Sequence, residues 1–184
     1  MSAPSLAIYK DVLRSGRGAD RVTAALANAL AARGYRVCLL TCQPEGVPLS
    51  VTLGPGVALR RVAVPKPAPG LRFLNKLLLR TAAGTRLLRA LPALDLNRRV
   101  SLRLQAALRE VRPDLILSSG PNEAIELTGA GPLPAPFLQL FHTYPPVAFA
   151  NRKRRRAERF REALRGAAAC QVLLPAFVPL LRPY

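Results

Sequence analysis

Short apolar runs alternate with amphipathic stretches along most of the chain. Leu6-Ala7-Ile8-Tyr9 predicts a first strand and Val37-Cys38-Leu39-Leu40-Thr41 a second. Between them Val22, Leu26 and Leu30 recur every four residues, as on one face of a helix, and Gly34 lies just past the run, where a left-handed C-cap is expected. A third strand is predicted around Val57 to Val64, bounded by Gly54-Pro55-Gly56 and Pro65. From Pro65 to Leu96 the pattern is less regular, with Leu71, Phe73, Leu74, Leu77, Leu78 and Leu79 interleaved with Arg72, Lys76 and Arg80. The helical period returns from Arg98, with Val100, Leu104, Leu108 and Val111 on one stripe, arginines opposite, and Pro113 as the stop. Leu115-Ile116-Leu117 predicts a buried strand, Ser118 to Asn122 a strand-to-helix turn, and Pro136 to Phe141 the next strand. A charged helix over Arg152 to Arg165 and a strand over Cys170 to Leu174 complete the series. This rhythm predicts a single α/β domain over residues 1–184, a parallel sheet covered by helices on both faces.

Composition adds a strong charge bias. The chain has 184 residues, enough for one well-cored domain, and a formal net charge of +18. Residues 1 to 60 carry 7 basic and 3 acidic groups, 61 to 112 carry 12 and 2, 113 to 150 carry 0 and 3, and 151 to 184 carry 9 and 2. The positive charge is thus concentrated in two blocks, which attract polyanions such as nucleic acid or an anionic membrane leaflet. An arginine-rich habit of a high-GC genome explains the ratio of Arg to Lys but not the shortage of acids. Cys38, Cys42 and Cys170 have no metal-ligand spacing, and their odd number argues against a disulfide framework. Cys38 lies in an apolar strand and is read as a buried thiol. No signal peptide and no run of ~20 apolar residues is visible, so the expected location is cytoplasmic, with membrane contact only at a surface.

Candidate chemistry begins at Ser15-Gly16-Arg17-Gly18-Ala19-Asp20-Arg21-Val22, between the first strand and the first helix. A glycine-bearing turn there puts backbone N–H groups and a helix N-terminus at the mouth of a cleft, where a phosphate or sugar can dock. An ordinary tight turn fits the same residues. The dinucleotide fingerprint needs a third glycine, where Arg21 stands, and an acid at the end of the second strand, which instead runs into Cys42 and Gln43. A nucleotide-dependent oxidoreductase is therefore disfavoured, although the arrangement remains Rossmann-like.

The order of elements resembles the N-terminal domain of a GT-B fold glycosyltransferase of family 4. The first-turn motif G-G-A-E-R of such enzymes is matched by Arg17-Gly18-Ala19-Asp20-Arg21, and the RGH-x-V entry to the second strand by Ala32-Arg33-Gly34-Tyr35-Arg36-Val37. Arg112-Pro113-Asp114-Leu115-Ile116 is similar to the strand entry kPD-x-I, Phe141-His142-Thr143 to the histidine turn after a central strand, and Gln171 to Pro175 to the strand before the interdomain linker. Arg17 replaces the first glycine of the usual pair, and Asp20 replaces glutamate. The resemblance implies sugar transfer from a nucleotide-sugar to a cell-envelope or lipid-linked glycan, with this domain on the acceptor side. It also implies that the nucleotide-sugar binds mainly a second Rossmann-like domain, typically marked by E-x7-E. That domain is expected to be missing, the chain being a fragment or a separately encoded half that needs a partner and is inactive alone. No other cofactor and no metal is expected.

His142, the only histidine, stands at the end of a predicted central strand, where open α/β sheets bind ligands. The resemblance assigns it to the catalytic cleft, contacting donor or acceptor hydroxyls; the alternative is a turn histidine satisfied by backbone groups. Gly16, Arg17, Gly18 and Arg21 are candidate ligand-binding residues of the first turn, with turn conformation and solvent exposure as the rival readings. Asn122 and Glu123 are candidates at a second strand end, and both fit equally as caps of the next helix. Arg152, Lys153, Arg154, Arg155 and Arg156 read alone as a nucleic-acid patch. With Phe160 and Leu164 on one side, and with the similar mixture at Leu71 to Arg80, they fit contact with anionic lipid or a lipid-linked acceptor. Nucleic acid is less favoured because no aromatic residue interleaves the basic run. A non-enzymatic basic module that binds anionic membrane or nucleic acid is the rival to the transferase reading.

Overall fold

The computed structural model describes residues 3–13, 18–64, 68–78, 81–91, 94–142 and 154–172, with 175 and 178. Six strands, β1 (Ser5–Tyr9), β2 (Arg36–Thr41), β3 (Val57–Arg61), β4 (Leu115–Ser118), β5 (Phe137–Leu140) and β6 (Ala169–Gln171), form one sheet in the order β3-β2-β1-β4-β5-β6. Every pairing among them is parallel. Among the described residues the helices are α1 (Gly18–Ala32), α2 (Pro69–Leu78), α3 (Ala82–Ala90), α4 (Leu96–Val111), α5 (Pro121–Thr128) and α6 (Arg154–Arg165). The chain is therefore the α/β, Rossmann-like parallel sheet with helices on both faces that its sequence rhythm predicts.

All five residues of β1 are buried, because this central strand is covered on both sides. Ala7 and Tyr9 face a core built with Leu104 and Leu108 of α4, Ile125 of α5 and Phe160 of α6. Ile8 faces the opposite core with Leu39, Ala27 of α1 and Val57. Phe141, just past β5, stacks at a tilt on Phe160, with ring centroids 5.8 Å apart, and ties α6 to the sheet.

Helix α1 differs from its leucine stripe. Val22 is exposed and Leu26 and Leu30 are partly buried, while Asp20, Thr23, Ala24 and Ala27 form the fully buried face. These small side chains let α1 lie close to the strands. Gly34 takes φ +87° as expected, with Gly34 N–H bonded to Ala31 O and Tyr35 N–H to Leu30 O, the paired bonds of a Schellman cap.

The irregular stretch contains two helices. A Cβ on Gly84 would collide with the backbone of Leu78, so α2 and α3 meet at a turn that needs glycine, and the Thr81 side chain caps α3 by accepting from Gly84 N–H at 3.0 Å. Other bounds shift by a few residues. β3 stops at Arg61, β5 is confined to Phe137–Leu140, α4 begins at Leu96 rather than Arg98, and the last strand is Ala169–Gln171. Positions 173 and 174 of that expected strand, and 152 and 153 of the expected helix, lie outside the described residues. Cys38 and Cys42 are half-buried and Cys170 is exposed, so Cys38 is less enclosed than its strand position implies.

The Arg112-Pro113-Asp114 entry has a visible physical basis. Arg112 adopts a left-handed conformation, φ 49°, that ends α4, and Asp114 accepts from Ser5 N–H at 2.7 Å while its own N–H donates to Ser5 O. At the other end of α4, Asp95 is the N-cap, accepting from Asn97 N–H at 3.0 Å and pairing with Arg159 of α6 at 3.0 Å. Asp95→Ala is expected to lower stability by about 1–2 kcal/mol, and Asp95→Asn, which keeps the cap and loses the ion pair, by less than about 1 kcal/mol. Urea unfolding of both variants checks this; equal losses would show that the cap contributes nothing.

Candidate functional site

In a parallel sheet each crossover helix runs back against its strands, so strand carboxyl ends and helix amino ends share one edge. Between β1 and β4 the strand order reverses, since β1 leads through α1 to β2 on one side and β4 leads through α5 to β5 on the other. The crevice at such a switch point is where open α/β sheets bind ligands. Lys10 follows β1, Asp20 lies in the first turn of α1, Ser119 to Glu123 join β4 to α5, and His142 follows β5.

Lys10 Nζ lies 2.5 Å from Glu123 Oε1 and 3.9 Å from Asp20 Oδ1, with both carboxylates buried. Glu123 sits in the first turn of α5, where the helix dipole favours a negative charge. A Cβ on Gly120 would stand 2.5 Å from Glu123 Oε2, so glycine there leaves room for the carboxylate. Gly120 is also the N-cap, with Pro121 behind it; Asn122 is a half-buried residue of the helix and not its cap, which corrects the capping reading for that residue.

His142 is half-buried, and among the described residues its buried Nε2 has no hydrogen-bond partner. Burial pushes its pKa below the usual imidazole range, the Lys10 cation pushes in the same direction, and Glu123 opposes them. The ring is therefore neutral at pH 7, with one nitrogen available to a ligand. The fold thus brings together His142, Glu123 and Lys10, the last of which sequence reasoning missed. A signal for it existed. The segment 113–150 carries three acids and no base, and each acid has a fixed partner: Asp114 the Ser5 amide, Glu123 Lys10, and Glu126 the Tyr9 hydroxyl.

The other candidates are spread around this edge. Gly18 opens α1, and among the described residues a Cβ there would meet nothing within 4 Å. Arg21 is exposed. Gly16 and Arg17 lie outside the described residues, as do Arg152 and Lys153, while Arg154 and Arg155 are on the backbone of α6 and Arg156 is exposed. Where a ribose-binding acid is absent, buried Gln43 is structural: its Oε1 accepts from Leu13 N–H at 3.1 Å, and its Nε2 donates to Pro48 O at 2.9 Å. Among the described residues no group of three His, Cys, Asp or Glu is placed to hold a metal ion.

Beside the crevice, Tyr9 donates to Glu126 Oε2 at 2.6 Å and lies 3.4 Å from Cys42 Sγ. Burial raises the Glu126 carboxyl to about 7; Asp11 and Glu123 add to the rise, and Tyr9 and Arg156 offset part of it. Burial likewise raises the Tyr9 phenol well above its usual range and the Cys42 thiol to about 11, so both keep their protons at neutral pH.

A Rossmann-like domain of the GT-B type, with polar groups gathered at its switch point, is the class that this fold and edge define. The family model for Glycosyltransferase Family 4 matches residues 16–174, and the chain belongs to that family. A solved structure of sucrose-phosphate synthase from Thermosynechococcus elongatus is similar in fold, with a TM-score of 0.65 at 16% identity. The similarity covers 98% of this chain and 45% of that one, so the chain spans under half the length of its structural relative. No curated protein matches the sequence.

Two titrations check the electrostatics. In an NMR titration the single histidine is expected to titrate below the ordinary imidazole value of about 6.5, and Glu123→Gln should lower its pKa further by removing an opposing charge. An unchanged or raised value would contradict the placement of Glu123. For Glu126 the folded carboxyl, near 7, holds its proton where the unfolded one, near 4.5, has lost it. Its contribution is therefore fully present below the unfolded value and is lost as pH rises from about 4.5 to about 7, by up to roughly 3 kcal/mol. Glu126→Gln should flatten that part of the stability profile measured by denaturant unfolding.

Proposed function

We propose that this chain is the acceptor-side half of a sugar transfer from a nucleotide-sugar to a cell-envelope or lipid-linked glycan. The observation that carries the reading is the buried Nε2 of His142, without a hydrogen-bond partner among the described residues, beside the Lys10–Glu123 pair at the switch-point crevice. Membership of the glycosyltransferase family supports the reaction class.

In this reading the neutral imidazole of His142 holds a sugar hydroxyl close to the reacting centre, and Lys10 and Glu123 keep the floor of the crevice rigid and polar. In the same reading Gly16, Arg17, Gly18, Arg21 and Asn122 contribute to binding the sugar or its acceptor. The nucleotide-sugar binds mainly on a second Rossmann-like unit that closes over this edge, supplied in the same chain or by a separately encoded partner. The 45% share of the sucrose-phosphate synthase chain covered by this fold supports a two-unit cleft. No metal is needed by the residues named.

The test is transfer from labelled nucleotide-sugars to an envelope lipid extract. Residues 1–184 alone should show no turnover; with a donor-binding unit, transfer should appear and fall about 100-fold in His142→Ala at unchanged thermal stability. Robust turnover by residues 1–184 alone, or transfer indifferent to His142→Ala, would overturn the reading.

A further inference from the structure

Among the described residues three glutamines are buried, and two of them tie elements together. Gln43 joins Leu13 N–H to Pro48 O, and Gln105 of α4 donates to Gly131 O, beyond α5, at 3.0 Å. Gln139 of β5 ties nothing. Its Nε2 donates at 2.8 Å to Leu140 O, the carbonyl of the very next residue. Its Oε1 has no hydrogen-bond partner among the described residues, although the residue is 0% exposed. A buried acceptor without a donor weakens a fold, and packing gives no reason for one here. Side chains alternate along β5, so Gln139 shares a face with Phe137 and, just past the strand, Phe141, both members of the core beneath α4, α5 and α6. An unbranched apolar side chain would fill the same place and leave no polar atom unsatisfied.

Strand register sets this amide at the ligand-binding edge. Tyr9 lies opposite Ser118, and Ser118 opposite Gln139. Tyr9 and Ser118 are the last residues of β1 and β4, so the row runs along the strand carboxyl ends. Ser118 Oγ donates to Gly120 O at 3.2 Å, in the loop that brings Glu123 to Lys10. His142, three residues beyond Gln139, also carries a buried atom without a partner among the described residues, its Nε2. An amide oxygen that only accepts and an imidazole nitrogen thus stand at one strand end, and a ring with more than one hydroxyl satisfies both. Because the bond to Leu140 O joins adjacent residues, the amide can turn from it toward an occupant without loosening any contact between elements.

We infer that Gln139 is a further binding residue of the crevice, its Oε1 accepting a hydrogen bond from one hydroxyl of a sugar while His142 holds another. The class of ligand rests on the sugar-transfer reading. What Gln139 adds is selectivity, since a buried group built to bond one hydroxyl rejects the ring that lacks it.

NMR on residues 1–184, labelled in the histidine and glutamine side chains, tests this with methyl glycosides of glucose, galactose, mannose and N-acetylglucosamine and their monodeoxy analogues. The Gln139 amide is the signal absent from Gln139→Met, a side chain of similar length without a strong polar group. One glycoside should shift the His142 ring and the Gln139 amide along a single saturation curve. Removing one of its hydroxyls should weaken binding about tenfold, and Gln139→Met should weaken the parent equally and cease to distinguish it from that analogue. The thermal midpoint of Gln139→Met should hold or rise by about 2–4 °C, because the unsatisfied acceptor is gone. The inference is overturned if no glycoside moves the Gln139 amide, if Gln139→Met binds like the unaltered chain, or if it binds more weakly yet still discriminates against the analogue. A His142 ring that responds while Gln139→Met changes nothing would sink this inference and leave the sugar-transfer reading intact. Transfer indifferent to His142→Ala, with the Gln139 and deoxy effects preserved, would do the reverse.

Discussion

A lysine that leaves a strand buried on both faces cannot stay unpaired at the sheet edge, and much of the crevice follows from how Lys10 is satisfied. Its ammonium stands 2.5 Å from Glu123 and 3.9 Å from Asp20, so one cation joins the end of β1 to the first turns of α5 and α1. Each acid occupies the part of a helix where the dipole suits a negative charge. The pairing sets the two helices that leave opposite faces of the sheet against a common point. It also fixes the field around His142, because the cation that Glu123 partly offsets is the one that disfavours imidazolium.

The polar groups around that pair divide into those that hold the scaffold and those left over. Gln43, Ser119 and Asp114 each close a loop or strand end through backbone hydrogen bonds, and Asn28 does the same for Gly54 N–H and Thr52 O before β3. Buried polar groups in native folds are nearly always paired in this way. A ring nitrogen without a described partner, at the edge where parallel sheets bind ligands, stands apart from them and gives the family resemblance a physical counterpart.

Charge placement follows a similar division of labour. Of the acids of residues 113–150, Glu123 and Glu126 turn into the fold and Asp114, though exposed, is held by the Ser5 amide, whereas most of the described basic side chains of the arginine-rich blocks are exposed, and Arg159 bridges two helices. The crevice is thus lined by a few compensated charges, while the uncompensated excess lies on neighbouring helices. Helix α2 shows why the excess cannot be judged from composition alone: its cations adjoin apolar residues that the fold leaves exposed.

By itself the sequence determined the architecture. Runs buried on both faces must be apolar throughout, so β1, β2, β4 and β5 stood out, and Gly34 and Pro113 marked helix ends because backbone geometry at those positions is local. The family was legible for the same reason, since motifs such as Arg112-Pro113-Asp114 encode local turns. What lay beyond local pattern was decided in three dimensions. The fully buried face of α1 is Asp20, Thr23, Ala24 and Ala27, with Leu26 and Leu30 of the predicted stripe packed only at its margin, because close approach selects small side chains. Helices α2 and α3 were obscured because their turn depends on Gly84 meeting Leu78 and their anchor on Asn75, neither of which has a hydrophobic period. Lys10, 113 residues from Glu123, acquired its role only when the parallel crossover brought two strand ends side by side. Pairings over that distance leave no periodic trace, and they are the ones that shape the crevice.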